Sequence, residues 1–323
     1  MAFIGQTDKG KHLLLIGDVR QKIKEIRSRK VQAIITSPPY WGLRDYDSQD
    51  QIGQEDFPEQ YVENMVSLAK EFKRVLRKDG TLWLNLGDTY FGAKGGHWSS
   101  DNSATNDRTG TKYREHRKAP PKHSYLKVKD LVGIPWKVAF ALQRDGWYLR
   151  NDIIWAKNNP MPEAVKDRFA KSHEHIFLFS KSKKYYFDYE AVLEEYTEPM
   201  NRWGGETLKA EGESLWDKGT GHSTYRNRSM RPNPKGKVRK DVWRLNTASF
   251  SGAHFAVFPD TIPKIAIQAS TKEGDIVLDP FMGSGTTAVM AQRLSRQWLG
   301  IEVNPEYAKI VKDRTAQINM WHV

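Results

Sequence analysis

The sequence contains no cysteine, which excludes disulfides, thiolate nucleophiles and cysteine-ligated metals. No run approaches the roughly 20 apolar residues of a membrane span, and the start, Met1-Ala2-Phe3-Ile4-Gly5-Gln6-Thr7-Asp8, has no basic stretch followed by an apolar one. These absences predict a soluble, cytoplasmic protein. Apolar residues make up only 38% of the 323 positions and charged residues 28%, so much of the surface is solvated or faces a polyanion. Acids are the scarcer charge. With 39 Asp and Glu against 51 Lys and Arg, the net +12 favours nucleic acid over an acidic protein as partner. No internal repeat recurs at a fixed period. His173-Glu174-His175 places two histidines two apart with no third ligand and no HExxH pattern, so no metal is expected.

What is present alternates. Leu13-Leu14-Leu15-Ile16 reads as a strand closed by Gly17-Asp18, and Val19 to Lys30 has helical spacing. Val31-Gln32-Ala33-Ile34-Ile35 is a second, β-branched strand. Phe57 to Leu76 spaces Tyr61, Met65, Leu68, Phe72, Val75 and Leu76 as an amphipathic helix ended by Lys78-Asp79-Gly80, and Thr81 to Asp88 is the next strand. Further on, Leu131 to Gln143 predicts a helix, Leu149–Ala156 and His175–Ser180 an antiparallel strand pair, and Val165 to Ser172 one or two helical turns. The last quarter reads helix from Pro263, strand Ile276–Asp279, helix from Thr286, strand Trp298–Glu302 and helix from Pro305. Strands alternating with helices predict an α/β fold, a parallel sheet covered by helices. Trp83, Trp136 and Trp155 read as core.

Two stretches interrupt the rhythm. Phe91 to Ser124 holds seven Lys or Arg against three acids and reads as a basic loop, 91–124. From about 188 to 250 the apolar content falls. Between Arg226 and Arg244 the cations Arg226, Arg228, Arg231, Lys235, Lys237, Arg239, Lys240 and Arg244 stand against the single acid Asp241, with Tyr225 and Trp243 beside or among them. Cations mixed with aromatics suit phosphate contacts and base stacking.

Two motifs carry chemistry. Thr36-Ser37-Pro38-Pro39-Tyr40 ends a strand in two prolines that cannot continue the ladder, leaving a stiff turn with a hydroxyl, free carbonyls and an aromatic face. Those groups suit a planar base held by its exocyclic amino group. In Asp279-Pro280-Phe281-Met282-Gly283-Ser284-Gly285-Thr286-Thr287 a strand meets a helix through glycines that let a ligand approach the backbone. No lysine follows Gly285, which disfavours a P-loop, and the dinucleotide glycine pattern is incomplete. Glu302, one helix and one strand later, is placed to accept ribose hydroxyls. An adenosine cofactor that needs no phosphate contacts fits S-adenosylmethionine.

These motifs resemble those of the amino-directed DNA methyltransferases of bacterial restriction-modification systems. Catalytic half first and cofactor half last resembles the permuted beta class, and Ser-Pro-Pro-Tyr its cytosine-N4 type, since adenine-N6 members more often carry Asp at the position of Ser37. The resemblance implies a Rossmann-like, doubly wound, circularly permuted sheet. It divides the chain into a catalytic half, 1–187, a target-recognition insertion, 188–250, and a cofactor half, 251–323. Ser37, Pro38, Pro39 and Tyr40 would be catalytic. Asp18, Phe255, Asp279, Phe281, Gly283, Ser284, Gly285, Thr286 and Glu302 would bind S-adenosylmethionine. Arg226, Arg228, Arg231, Lys235, Lys237, Arg239 and Lys240 would meet double-stranded DNA. The implied partners are DNA, at the nucleoid, and a restriction endonuclease acting on the same site.

The amino lone pair of a base is delocalised into the ring and nucleophilically weak. Hydrogen bonds from the amino group to the Ser37 hydroxyl and the Pro38 carbonyl would favour a more tetrahedral nitrogen, with Tyr40 stacked on the base. The base must leave the duplex, and Trp41 or Tyr46 is expected to assist. The rival readings are adenine-N6 methylation and a catalytically silent nucleic-acid-binding protein of the same fold.

Overall fold

The computed structural model describes residues 2–7, 10–42, 51–92, 122–196, 233, 235–248 and 258–319. The chain forms two compact units, one of Met1–Phe187 with Asp241–Val323 and one of Asp188–Lys240.

Among the described residues the larger unit has nine strands: β1 (Ala2–Thr7), β2 (Gly10–Ile16), β3 (Val31–Thr36), β4 (Leu76–Leu86), β5 (Tyr148–Lys157), β6 (His173–Ser180), β7 (Val242–Leu245), β8 (Ile276–Asp279) and β9 (Gln297–Glu302). Their order across the sheet is β1-β2-β9-β8-β3-β4-β6-β5-β7. The five strands from β2 to β4 run parallel, so their carboxyl ends share one edge. β6 is antiparallel to β4, with Leu86 opposite His175, and β5 is antiparallel to β6. The amino end of β6 and the carboxyl end of β5 therefore reach that same edge.

All six residues of β3 are buried, as expected of a parallel strand covered on both faces. The two faces separate by the period of two along β4. Leu82, Leu84 and Leu86 share a core with α2 (Pro58–Val75) and α3 (Ile134–Arg144). Trp83, pointing the other way, donates its Nε1 proton to Ser270 Oγ of α4 (Thr261–Ser270) at 2.7 Å. Helix α2 begins with Pro58 in its first turn and buries Tyr61, Met65, Leu68, Phe72 and Val75 at three- and four-residue steps. Each such large side chain contributes about 1.5–3 kcal/mol on burial. Helices α5 (Thr286–Arg293) and α6 (Pro305–Asn319) follow β8 and β9.

Several expectations are corrected. The segment from Val19 is helical only through α1 (Val19–Lys22) and a 3₁₀ turn at Ile23–Glu25, because Ile26 takes extended backbone and Arg29 turns the chain at φ 57° into β3. Lys78-Asp79-Gly80 is a register irregularity inside β4 rather than a break before it, since Val31 pairs with Leu76 but Ala33 with Thr81. No helical turn forms in 165–172. There the Glu163 carboxylate accepts from Arg168 Nη1 at 2.7 Å and from the Lys171 backbone N–H at 3.2 Å, and these bonds hold the segment as a loop. Trp83 and Trp155 are core, but Trp136 is 37% exposed. Strands β1 and β7 are additions to the expected set, and β7 lies inside the span read as an insertion. Most of the basic loop 91–124 lies outside the described residues. Among the described residues no helix is long and apolar enough to cross a membrane.

In the smaller unit, Glu194 and Lys237 form an antiparallel bridge. Lys235 pairs with Glu190 at 2.6 Å and Arg239 with Glu194 at 3.1 Å. Two of the cations expected to face DNA are thus tied to acids within the unit. Arg226, Arg228 and Arg231 lie outside the described residues.

Candidate active site

The shared edge of the parallel strands collects the loops after β2, β3, β8 and β9 around one cavity, the position where open α/β sheets bind ligands. Asp18, Ser37, Pro39, Asp279, Phe281, Gly283, Ser284, Thr286 and Glu302 all line it. Of the remaining expected residues, Pro38, which is buried, Tyr40 and Gly285 are not part of this lining, and Phe255 lies outside the described residues.

The two motifs are joined directly. Thr36 Oγ1 donates to Asp279 Oδ1 at 2.7 Å, across 243 positions of sequence. Asp279, 2% exposed, also accepts from Thr287 Oγ1 at 2.8 Å and from the Phe281 N–H at 3.1 Å. Burial outweighs these bonds and pushes its carboxyl up to about 6. Asp279 therefore fastens the turn after β3 to the turn after β8.

Gly285 precedes α5 in the left-handed region at φ 84°, and a Cβ there would stand 3.0 Å from Val311 of α6. It shapes the turn from behind. Gly283, at φ 52°, faces open space: an added Cβ would meet only Phe281 O, at 3.9 Å. Glu302 is 7% exposed, and its two oxygens accept from the Gly283 N–H at 2.7 Å and the Asn304 N–H at 2.8 Å. Burial raises it to about 7. Asp18 caps α1, accepting from the Arg20 N–H at 2.7 Å, and the Arg20 guanidinium beside it holds its carboxyl below the usual range. Arg314 of α6 donates to Ser284 O at 2.7 Å and to Ser284 Oγ at 3.0 Å, bracing the turn.

The turn after β3 is equally constrained. Tyr61 donates its hydroxyl proton to Pro39 O at 2.9 Å. Tyr40 lies against Gly87, where a Cβ would come within 2.7 Å of its ring. The Tyr40 hydroxyl donates to Glu174 Oε2 at 2.6 Å and accepts from Ser37 Oγ at 3.0 Å and from Asn85 Nδ2 at 2.7 Å. Asn85 Nδ2 also donates to Glu174 Oε2 at 2.9 Å, and Lys157 Nζ reaches Glu174 Oε1 at 2.5 Å. Burial and the neighbouring Glu174 carboxylate push the Tyr40 phenol well above its ordinary range.

Sequence reasoning missed Asn85, Lys157 and Glu174. Asn85 leaves a faint signal as the polar residue inside Leu84-Asn85-Leu86. Glu174 reads in the sequence only as the middle of a histidine pair, and its importance comes from β6 starting at the functional edge. Trp41 cannot assist a base out of a duplex as expected: it is 4% exposed, stacks on Phe91 and donates to Glu55 O at 2.8 Å. Tyr46 lies outside the described residues.

Comparison with known proteins gives this geometry a family. Residues 31–313 match the N6/N4 DNA methylase family model. The chain is 43% identical over 301 residues to the Type II methyltransferase M.SmaI of Serratia marcescens, covering 93% of this chain and 89% of the relative. It is 44% identical to M.Cfr9I of Citrobacter freundii, covering 93% and 86%. Among solved structures, the PvuII DNA methyltransferase (cytosine-N4-specific) superposes with a TM-score of 0.63 at 19% identity, covering 97% of this chain and 90% of that one. A putative DNA modification methylase from Thermus thermophilus, complexed with S-adenosyl-L-methionine, superposes with a TM-score of 0.56 at 21% identity, covering 95% and 93%. A family model matched over residues 31–313 and relatives above 40% identity covered along most of their length mean that this protein belongs to the N6/N4 DNA methylase family, as a Type II, S-adenosylmethionine-dependent DNA methyltransferase.

Proposed function

We propose that this methyltransferase modifies the N4 amino group of a cytosine turned out of duplex DNA. The observation that carries the proposal is Ser37, a neutral hydroxyl placed by the stiff Pro38-Pro39 turn on the cavity that Phe281, Gly283 and Glu302 also line. A carboxylate at this position is more often the adenine device. A fold shared with a cytosine-N4-specific enzyme supports the same choice.

The cavity residues fit S-adenosylmethionine. Gly283 leaves room for close approach, Asp18 and Glu302 offer acceptors to adenosine, and each Glu302 oxygen keeps a lone pair beyond its bond to backbone. When bound, the cofactor supplies an electrophilic methyl group on a sulfonium centre. The chain's own contribution is placement. Ser37 Oγ and the Pro38 carbonyl accept the amino hydrogens and favour a pyramidal nitrogen, the ring of Tyr40 offers a stacking face, and the hydrogen-bonded turn needs little reorganisation. Extrusion of the base costs a few kcal/mol, offset by pocket contacts.

In this proposal 1–187 is the catalytic half, 188–250 the target-recognition insertion and 251–323 the cofactor half, the order of the permuted beta class. The basic composition of 226–244 supports DNA contact there, with Arg226, Arg228, Arg231, Lys237 and Lys240 meeting phosphates while Lys235 and Arg239 brace their own unit. A paired endonuclease acting on the same site completes the system. The test is to incubate unmethylated DNA with the protein and methyl-labelled cofactor, digest to nucleosides and identify the label by mass spectrometry. N4-methylcytosine is expected. N6-methyladenine would replace the cytosine assignment, and no label on any DNA would remove both.

A further inference from the structure

The network behind Ser37 determines which way its hydroxyl points. Tyr40 Oη has three partners: Glu174 Oε2 at 2.6 Å, Asn85 Nδ2 at 2.7 Å and Ser37 Oγ at 3.0 Å. A carboxylate paired with Lys157 can only accept, so the tyrosine proton belongs to Glu174. Asn85 has no choice either. Turned over, its amide would set Oδ1 against Glu174 Oε2 at 2.9 Å, two acceptors with no proton between them. In the orientation that avoids this clash, Oδ1 is buried with no hydrogen-bond partner among the described residues. With Tyr40 Oη donating to Glu174 and receiving from Asn85, the bond to Ser37 must carry the serine's own proton. One lone pair of Ser37 Oγ lies 3.5 Å from the Asn85 amide Nδ2, and the other is left for the cavity, which Ser37 lines.

We propose that Glu174, acting through Tyr40, is a positioning residue that holds Ser37 as a hydrogen-bond acceptor and thereby selects an amino group over a carbonyl oxygen in the target base. The inference rests on the reading that Ser37 faces the target amino group. A free serine hydroxyl could turn its proton outward and welcome the O4 of uracil as readily as the N4 amino group of cytosine. Here an O4 would meet a lone pair. Lys157 shares the task through its ion pair with Glu174 Oε1 at 2.5 Å, in a site where both side chains are mostly buried.

The test is a cycle of E174Q, Y40F and the double variant, with kcat, cofactor Kd and the Kd for DNA carrying cytosine or uracil at the target, each opposite guanine. The amide introduced by E174Q can donate to Tyr40 and reverse the chain, and the loss of the phenol hydroxyl in Y40F removes the acceptor of the Ser37 proton. E174Q is expected to lower kcat by about 10- to 100-fold, in the range of one misplaced hydrogen-bonding group at an active site, with cofactor Kd within about twofold. The preference for cytosine over uracil, taken as a ratio to the same ratio in the parent so that pairing differences cancel, should fall in E174Q and in Y40F. The double variant should be no slower than Y40F alone, because both act on the same bond. A kcat within about threefold of the parent, additive losses or an unchanged base preference would overturn the proposal. If E174Q does not fold, the base preference of Y40F decides alone. Should the parent's product be N6-methyladenine, the cytosine assignment falls, while kcat and the additivity of the cycle still test the relay on an adenine amino group.

Discussion

Thr36→Val tests the fastening between the two halves of the site. The substitution keeps shape and removes the hydroxyl that donates to Asp279 Oδ1 at 2.7 Å. The cost depends on the charge of Asp279. Its carboxyl is raised from 3.8 to about 6, so the unfolded chain gives up this proton before the folded one does. The stability contribution of Asp279 is therefore fully present below about pH 4 and is lost as pH rises through about 6, on the order of 3 kcal/mol at about 1.4 kcal/mol per unit. The Thr36 bond offsets part of that loss, because it favours the ionised form.

At pH 8 the variant loses a hydrogen bond to a buried carboxylate, about 1.5–3 kcal/mol, and at pH 5, with Asp279 mostly protonated, only a neutral bond of about 1 kcal/mol. Urea denaturation of parent and variant at both pH values reads the difference directly. The loss should be greater at pH 8 by about 1–2 kcal/mol, since removing the donor raises Asp279 further. Turnover should fall as well, because Ser37 follows Thr36 in the chain. Equal losses at the two pH values would refute the assignment of Asp279 as a buried group that titrates near 6.

Gly87→Ala brings a methyl group within 2.7 Å of a Tyr40 ring whose hydroxyl is held by three partners, so the ring cannot move away freely. We expect kcat to fall about 10- to 100-fold with cofactor Kd, read by calorimetry, within about twofold; unchanged turnover would mean Tyr40 is not held as described. Gly285→Ala places a side chain at φ 84° and 3.0 Å from Val311. We expect about 2–3 kcal/mol of lost stability by urea denaturation, with a weakened cofactor Kd; stability lost without any change in Kd would separate the turn from the cofactor.

Residues whose meaning is local were legible in the sequence. Ser37-Pro38-Pro39-Tyr40 announces a stiff strand end, and Asp279 to Thr287 a strand-to-helix turn, whatever surrounds them. Parallel strands carry such turns to one edge, so the two motifs meeting on one cavity followed from the α/β alternation. Strand β7 has four residues between polar segments and pairs with β5 through contacts no local pattern signals. The one or two helical turns read into 165–172 are absent because Glu163 ties that backbone by its side chain.

Glu174 shows most clearly what a local pattern withholds. In a uniformly parallel sheet the amino end of a strand lies far from the active edge, and an acid there would be a surface residue. β6 runs against β4, which returns its first residues to the carboxyl ends of the neighbouring strands, and places Asn85 opposite Ile176 and Leu86 opposite His175. The reversal sets Glu174 against Tyr40, and a second reversal brings Lys157, at the end of β5, against Glu174. The antiparallel part of the sheet thus adds to the parallel part what a proline turn lacks: charged groups that decide the direction in which its hydroxyl points.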